Sequence, residues 1–287
     1  SLLRSIYARF TLEGPVSFGY AGAGMGFGVF NDTQLTLESR GASTLEARLG
    51  ERFLLRGGYG IPVTLPESWD TTLGLGMGVK GFIRGDAVIS SSLLTLPSLF
   101  DNLGPDLLTG SPFELVSGIG LDLGFRAEWT ELLAVGLTVD NLYAPTANLP
   151  YPTLQGFLDS TATPTGTTYA TLPQEINLGL AWTPGLGPVD RYVQDLTVLF
   201  DYRDIFDFWL DPANAENIVL KMSLGLEATL LEVLSLRGGF SEGLFAAGLG
   251  VDMTWFELNA SMFGSELSTE PGLRPVYNIV VGLEFRG

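Results

Sequence analysis

From residue 276 to residue 286 the chain alternates almost without error. Tyr277, Ile279, Val281, Leu283 and Phe285 fall on one side of an extended strand, and Asn278, Gly282, Glu284 and Arg286 on the other. The same script recurs upstream. Phe256, Leu258, Ala260 and Met262 alternate with Glu257, Asn259 and Ser261; Phe245, Ala247, Leu249, Val251 and Met253 alternate with Gly248, Gly250 and Asp252. The apolar parity flips near Thr254 and Trp255, as a tight hairpin requires when both strands keep their apolar sides to one medium. A second hairpin places Met222, Leu224, Leu226 and Ala228, then Leu234, Leu236 and Phe240, on the apolar side around Leu231 and Glu232. Ile119, Leu121, Leu123, Phe125 and Trp129 make a third with Leu133, Val135, Leu137 and Val139, turning near Thr130. Further strands are expected at residues 176–182 and 196–202.

The N-terminal third is less regular, with a Gly-rich strand expected at 16–30, shorter ones at 33–38, 45–49 and 53–61, and a long one at 72–88. The total is about 14 strands, or 12 if 33–49 is a single strand, and an even number is expected. Long connections at 90–112, 144–173, 205–217 and 264–274 face short ones near Thr130, Leu231 and Trp255. That asymmetry, with strands of about nine to eleven residues, is the pattern of an outer-membrane barrel with short periplasmic turns and long extracellular loops. The expectation is therefore an all-β fold: one closed antiparallel transmembrane β-barrel, residues 1–287 as a single domain, both termini periplasmic.

The polar face carries charges of both signs. Lys80, Asp122, Arg126, Asp140, Asp201, Arg203, Lys221, Glu227, Arg237, Asp252, Glu257, Glu284 and Arg286 are all expected to face the lumen. Confined charges of mixed sign pair as structural salt bridges. A conducting pore would want rings of one sign, which the pattern lacks. Gly22, Gly24, Gly26 and Gly28 share a parity, as do Gly74, Gly76 and Gly78, without the following helix of a phosphate loop. They read as an inward face on which bulky groups pack closely. Trp129, Trp182, Trp255, Phe256 and Phe285 fall at strand ends, where a girdle of amphipathic rings is expected.

Composition supports this and removes other classes. The 287 residues are 46% hydrophobic and 16% charged, with 37 glycines, too poorly charged for a typical soluble surface. No run is long and apolar enough for a spanning helix. The formal charge of −17 argues against a nucleic-acid partner. There is no cysteine for a disulfide, a thiolate metal site or a lipidated N-terminus, and no histidine to serve as general base. Carboxylate pairs such as Asp204 and Asp207 read as solvated loop residues. No catalytic residue, metal or cofactor is expected. The start, Ser1-Leu2-Leu3-Arg4, lacks the features of a secretory signal, so a cleaved signal peptide in the precursor is expected.

Two apolar clusters lie outside the regular strands: Leu93, Leu94, Leu96, Leu99 and Phe100, and Ile205, Phe206, Phe208, Trp209 and Leu210. Exposed apolar patches mark binding of a ligand or a protein; packing into the barrel mouth as a cap is the other reading.

The runs 134–145, 172–182 and 234–240, the last followed by Ala246-Ala-Gly-Leu-Gly250, resemble the outer-membrane long-chain fatty-acid transporter superfamily. The likeness is closest to its smaller bacterial relatives, including the barrel scaffold of type IX secretion, and covers roughly residues 115–286. The family's N-terminal plug is followed by an Asn-Pro-Ala box; here Ala21-Gly-Ala-Gly24 and Asn31-Asp32 are followed by none. The resemblance implies a fourteen-stranded barrel for passive uptake of hydrophobic molecules such as fatty acids, with the two apolar clusters as capture surface. The alternative is a scaffold barrel with a plugged lumen that binds other envelope proteins. Outer-membrane lipid, a hydrophobic small molecule and other envelope proteins are the partners so implied.

Overall fold

The computed structural model describes residues 7–13, 17–40, 44–92, 108–130, 132–187, 193–210, 212 and 215–285. Contacts divide the chain into two compact units, one of Ser1–Tyr59, Met77–Asp122 and Asn141–Pro173, the other of Gly60–Gly76, Leu123–Asp140 and Gln174–Gly287. The strands are β1 (Tyr7–Glu13), β2 (Phe18–Gly22), β3 (Met25–Arg40), β4 (Thr44–Val63), β5 (Thr71–Ser92), β6 (Phe113–Trp129), β7 (Leu133–Tyr143), β8 (Pro145–Tyr151), β9 (Thr168–Thr171), β10 (Glu175–Trp182), β11 (Val193–Tyr202), β12 (Met222–Leu230), β13 (Leu234–Ser241), β14 (Leu244–Met253), β15 (Phe256–Glu266) and β16 (Pro275–Phe285). They form one sheet whose pairing path begins at β1 and ends at β16. Closure into a ring is a step beyond these pairings.

In the first unit β1 and β2 lie end to end along β3. Residues 16–30, expected as one strand, instead contain a two-residue turn at Ala23 and Gly24. Both have positive φ, the geometry whose twist suits a hairpin. Segments 33–38 and 53–61 belong to longer strands, β3 and β4, paired from Met25↔Tyr59 to Arg40↔Thr44. β8 pairs with β6 on one side and β9 on the other. Among the described residues sixteen segments thus make thirteen rows, where the pattern predicted fourteen or twelve. Residues 144–173, expected as a long loop, build β8, helix α1 (Leu154–Leu158) and β9. Phe113, Tyr151 and Phe157 stack there with centroids 4.7 to 6.3 Å apart, and Thr153 caps the helix by accepting from Gly156 N–H.

In the second unit β7 pairs with β10, and β10 to β16 follow as successive antiparallel neighbours. The hairpins expected near Leu231 and Trp255 are present, and a further two-residue turn at Glu242 and Gly243, both of positive φ, joins β13 to β14. Trp182 and Trp255 stand exposed at strand ends.

Apolar side chains line the exposed face. Leu226 is 49% exposed, Leu236 41%, Leu249 45% and Val281 68%. Among the described residues only Ala87, Phe113, Ala127, Ala144 and Leu220 are buried hydrophobics, so backbone ladders rather than an apolar core hold the sheet together.

Glycine marks where rows approach most closely. A Cβ on Gly239 would stand 2.2 Å from the Leu224 carbonyl oxygen, whereas one on the adjacent Gly238 meets nothing within 4 Å. Gly239→Ala is expected to lower unfolding free energy by about 1 to 3 kcal/mol while Gly238→Ala changes it little. Denaturant midpoints of the two variants check this; equal midpoints would refute it.

Candidate functional site

Charges on the polar face of the first unit converge on Asp122. Its carboxylate accepts from Lys80 Nζ at 2.8 Å, from Arg56 at 3.3 Å and from the Asn141 N–H at 2.9 Å. Glycine makes the Lys80 contact possible, since a Cβ on Gly120 would lie 2.7 Å from the lysine stem. Lys80 and Asp122, both among the charges expected in the lumen, are thus in contact. Arg56, absent from the expected set, joins because β3 and β4 form one continuous hairpin that presents Gly26, Gly28, Asp32, Arg52 and Arg56 on one face.

Several polar-face charges of the second unit also pair. Glu227 and Arg237 stand opposite each other on β12 and β13 and bond at 2.9 Å; Arg237 also donates to Asn259, which donates to Glu257. Arg126 pairs with Glu128, and Asp140 accepts from Asn177 at 2.8 Å. Asp201 is exposed beside Gly179. Asp252, Glu257 and Glu284 face one another across β14, β15 and β16. Arg286 lies outside the described residues.

Two further charges of the expected lumen set, Lys221 and Arg203, hold a connection in place. Lys221 ends the short helix α3 (Ile218–Lys221), only 6% exposed, and its ammonium contacts both Asp204, at 3.4 Å, and Asp207. Arg203, just beyond β11, binds Glu242 at 2.8 Å and the Leu220 carbonyl. The carboxylates read as solvated loop residues thus form a clamp that fixes the β11–β12 connection. Glu242 extends it by accepting from the Glu266 N–H, and the Glu266 carboxylate gathers the N–H groups of Ser268, Gly272 and Arg274 in the β15–β16 connection. Asn217 ties the two connections together, donating to the Thr269 carbonyl from its backbone and to Glu270 from its side chain. The sequence signal for these groups was weak, because partners so far apart in the chain meet only when three connections converge.

The apolar cluster sits on this clamp. Phe206 is 41%, Phe208 69% and Trp209 79% exposed, Ile205 is half-buried, and Leu210 closes the helical turn α2 (Asp207–Leu210). Phe206 and Trp209 pack at 6.3 Å, with Ile218 and Val219 also exposed on α3. The other cluster, Leu93, Leu94, Leu96, Leu99 and Phe100, lies outside the described residues.

Burial works against charge on Asp207, but the Lys221 hydrogen bond, the Glu216 N–H and the lysine charge outweigh it and hold the carboxyl below its usual 3.8. Burial likewise opposes the Lys221 charge, yet Asp207 and Asp204 raise the ammonium above 10.5. Glu266 is lowered too, its slight desolvation overcome by the Ser268 hydroxyl and the surrounding N–H groups.

No protein-family model matches the chain, and no curated protein matches it. Among solved structures, the ferric yersiniabactin uptake receptor FyuA from Yersinia pestis aligns at TM-score 0.32 and 11% identity, over 98% of this chain and 43% of that one. The ferric citrate transporter FecA in the unliganded form aligns at TM-score 0.29 and 10% identity, over 97% of this chain and 54% of that one. The chain spans about half the length of these structures. The resemblance to the fatty-acid transporter superfamily remains one of short motifs.

A depressed acid and a raised base contribute their stability between the two ordinary values. The Asp207 share is present above 3.8 and lost as pH falls through its lowered value; the Lys221 share is present below 10.5 and lost as pH rises through its raised one. Hydrogen-exchange protection of residues 203–210, corrected for intrinsic rates, should stay level from about pH 5 to about pH 9 and fall only in stronger acid or stronger base. Lys221→Met, which leaves two carboxylates facing each other without their cation, should cost about 3 kcal/mol and release that protection. Wild-type protection in the variant would refute the clamp.

Proposed function

We propose that this chain is a bacterial outer-membrane β-barrel, its sheet closed on itself, that lets small hydrophobic molecules such as fatty acids pass passively. One observation carries the reading: alternate positions of successive strands expose Leu, Ile, Val and Phe to the surroundings while their neighbours carry paired charges. Exposed in water, that face would be an aggregation surface; in hydrocarbon it is the ordinary outer wall of a barrel. Lipid also demands closure, because a sheet edge left in it would hold unsatisfied peptide groups. An odd number of rows is compatible with closure, since odd-stranded membrane barrels exist. The aromatic cluster at Phe206, Phe208 and Trp209 supplies an apolar landing surface held still by the Lys221 clamp.

The scaffold reading draws on a different observation. The described inward charges are largely neutralised within the wall, and the aromatic cluster is as well suited to a protein partner as to a small ligand. Transfer of a fluorescent fatty acid into proteoliposomes separates the two. Transport predicts influx above that of protein-free vesicles, reduced severalfold by the double variant Phe208→Ser and Trp209→Ser. Influx equal to protein-free vesicles would leave the scaffold.

Membrane residence has its own test. Leu226→Arg, in the middle of β12, should disfavour folding into vesicles by about 2 to 4 kcal/mol, whereas Thr269→Arg in a connection should not. Equal folding of both variants would refute a lipid-facing strand wall.

A further inference from the structure

A groove of about 560 Å³ crosses the first unit from β3 to β9. Most of its lining lies on the exposed apolar face. Val29 and Leu55 are directly opposed, as are Ser117 and Ala147, and Ala147 and Tyr169, and opposed residues share a face. Its rim is formed by Val29, Phe53, Leu55, Ile83, Ile119 and Tyr169, from 37% to 80% exposed. Its floor is low because Gly81, Ser117 and Ala147 replace large residues on neighbouring strands.

The groove lies at one margin of the exposed apolar band. On β4 the band includes Ile61, Tyr59, Leu55 and Phe53, and the next residue on that face is Glu51. Asn31 Nδ2 donates to Glu51 Oε1 at 3.1 Å and the Thr33 hydroxyl donates to Oε2. Asn31 is opposite Phe53 itself, so this polar group adjoins the groove wall on the same face. Beyond it Leu35 and Leu49 are no longer prominent: Leu35 is half-exposed and Leu49 likewise. A carboxylate has about four acceptor sites, of which Asn31 and Thr33 take two.

We propose that this groove holds one acyl chain of a bilayer phospholipid whose ammonium headgroup is received by Glu51. The proposal rests on the membrane reading above and adds a fixed lipid site to it. Apolar shape alone would accept any chain; the carboxylate at its end selects the headgroup. An ammonium gains a charge-assisted hydrogen bond there, whereas a headgroup whose sole charge is phosphate meets repulsion. The opposite surface of the same strands carries the ion pairs of Arg52 with Asp32 and of Arg56 and Lys80 with Asp122.

The test reconstitutes the full chain in vesicles of equal phosphatidylethanolamine and phosphatidylglycerol, then counts retained lipids by native mass spectrometry after detergent extraction. Flotation with the vesicles is scored first for every variant. Expected are about one phosphatidylethanolamine retained per wild-type chain, at least threefold less retained by Gly81→Leu, and loss of headgroup preference in Glu51→Gln with retention kept. The Gly81 site has room for the new side chain, since a Cβ there meets only the Gly118 carbonyl oxygen at 4.0 Å. Ser117→Leu fills the floor from the neighbouring strand and should act alike if Gly81→Leu fails to float. Retention unchanged in the floating groove-filling variant, no headgroup preference in wild type, or retention of a free fatty acid in place of phospholipid each overturns the proposal. Failure of the wild type to float would instead overturn the membrane reading itself.

Discussion

Neighbouring strands satisfy one another's peptide groups, and this ladder does the structural work that a packed interior does in a water-soluble domain. A strand flanked on both sides has its N–H and C=O groups paired whatever surrounds its side chains. That frees the two faces to differ. One can expose Leu226, Leu236, Leu249 and Val281 while the other carries pairs such as Arg237 with Glu227, or Asp122 with Lys80 and Arg56. The scarcity of buried hydrophobics among the described residues follows from the same fact: a single sheet has no second layer to pack against.

Charge pairing is the second constraint. A carboxylate such as Asp122, with its side chain only 7% exposed, survives because a lysine, an arginine and a peptide N–H share its negative charge. The Lys221 clamp applies the same rule at the connections of the second unit, where one buried ammonium orders a segment whose apolar side chains point outward. Exposed Phe208 and Trp209 are thus presented on a fixed platform rather than a free loop, which lowers the ordering cost of whatever they meet.

Much of the strand architecture was legible because period-two alternation survives wherever one face is apolar and the other is not. It failed where the alternation is interrupted. Glycines at 22, 24, 26 and 28 keep one parity across Ala23 and Gly24, so a chain reversal there reads as a continuous strand. Pro145 to Tyr151 reads as loop because its alternation is weak, yet it pairs with β6. The groove floor at Gly81, Ser117 and Ala147 was equally invisible, being made by small residues of three strands that are neighbours only in the sheet.

The sequence alone determined that the chain is built of alternating strands, that apolar and charged residues are segregated by face, and that general-base histidine and thiolate chemistry are absent, since these depend only on residue type and local spacing. Tertiary structure decided which charges meet. Lys80 with Asp122, Arg203 with Glu242 and Lys221 with Asp204 and Asp207 join residues 17 to 42 positions apart, or 14 for Asp207. Such pairings follow from strand register and from where connections fold back, and neither is set by the residues' own neighbours in the chain.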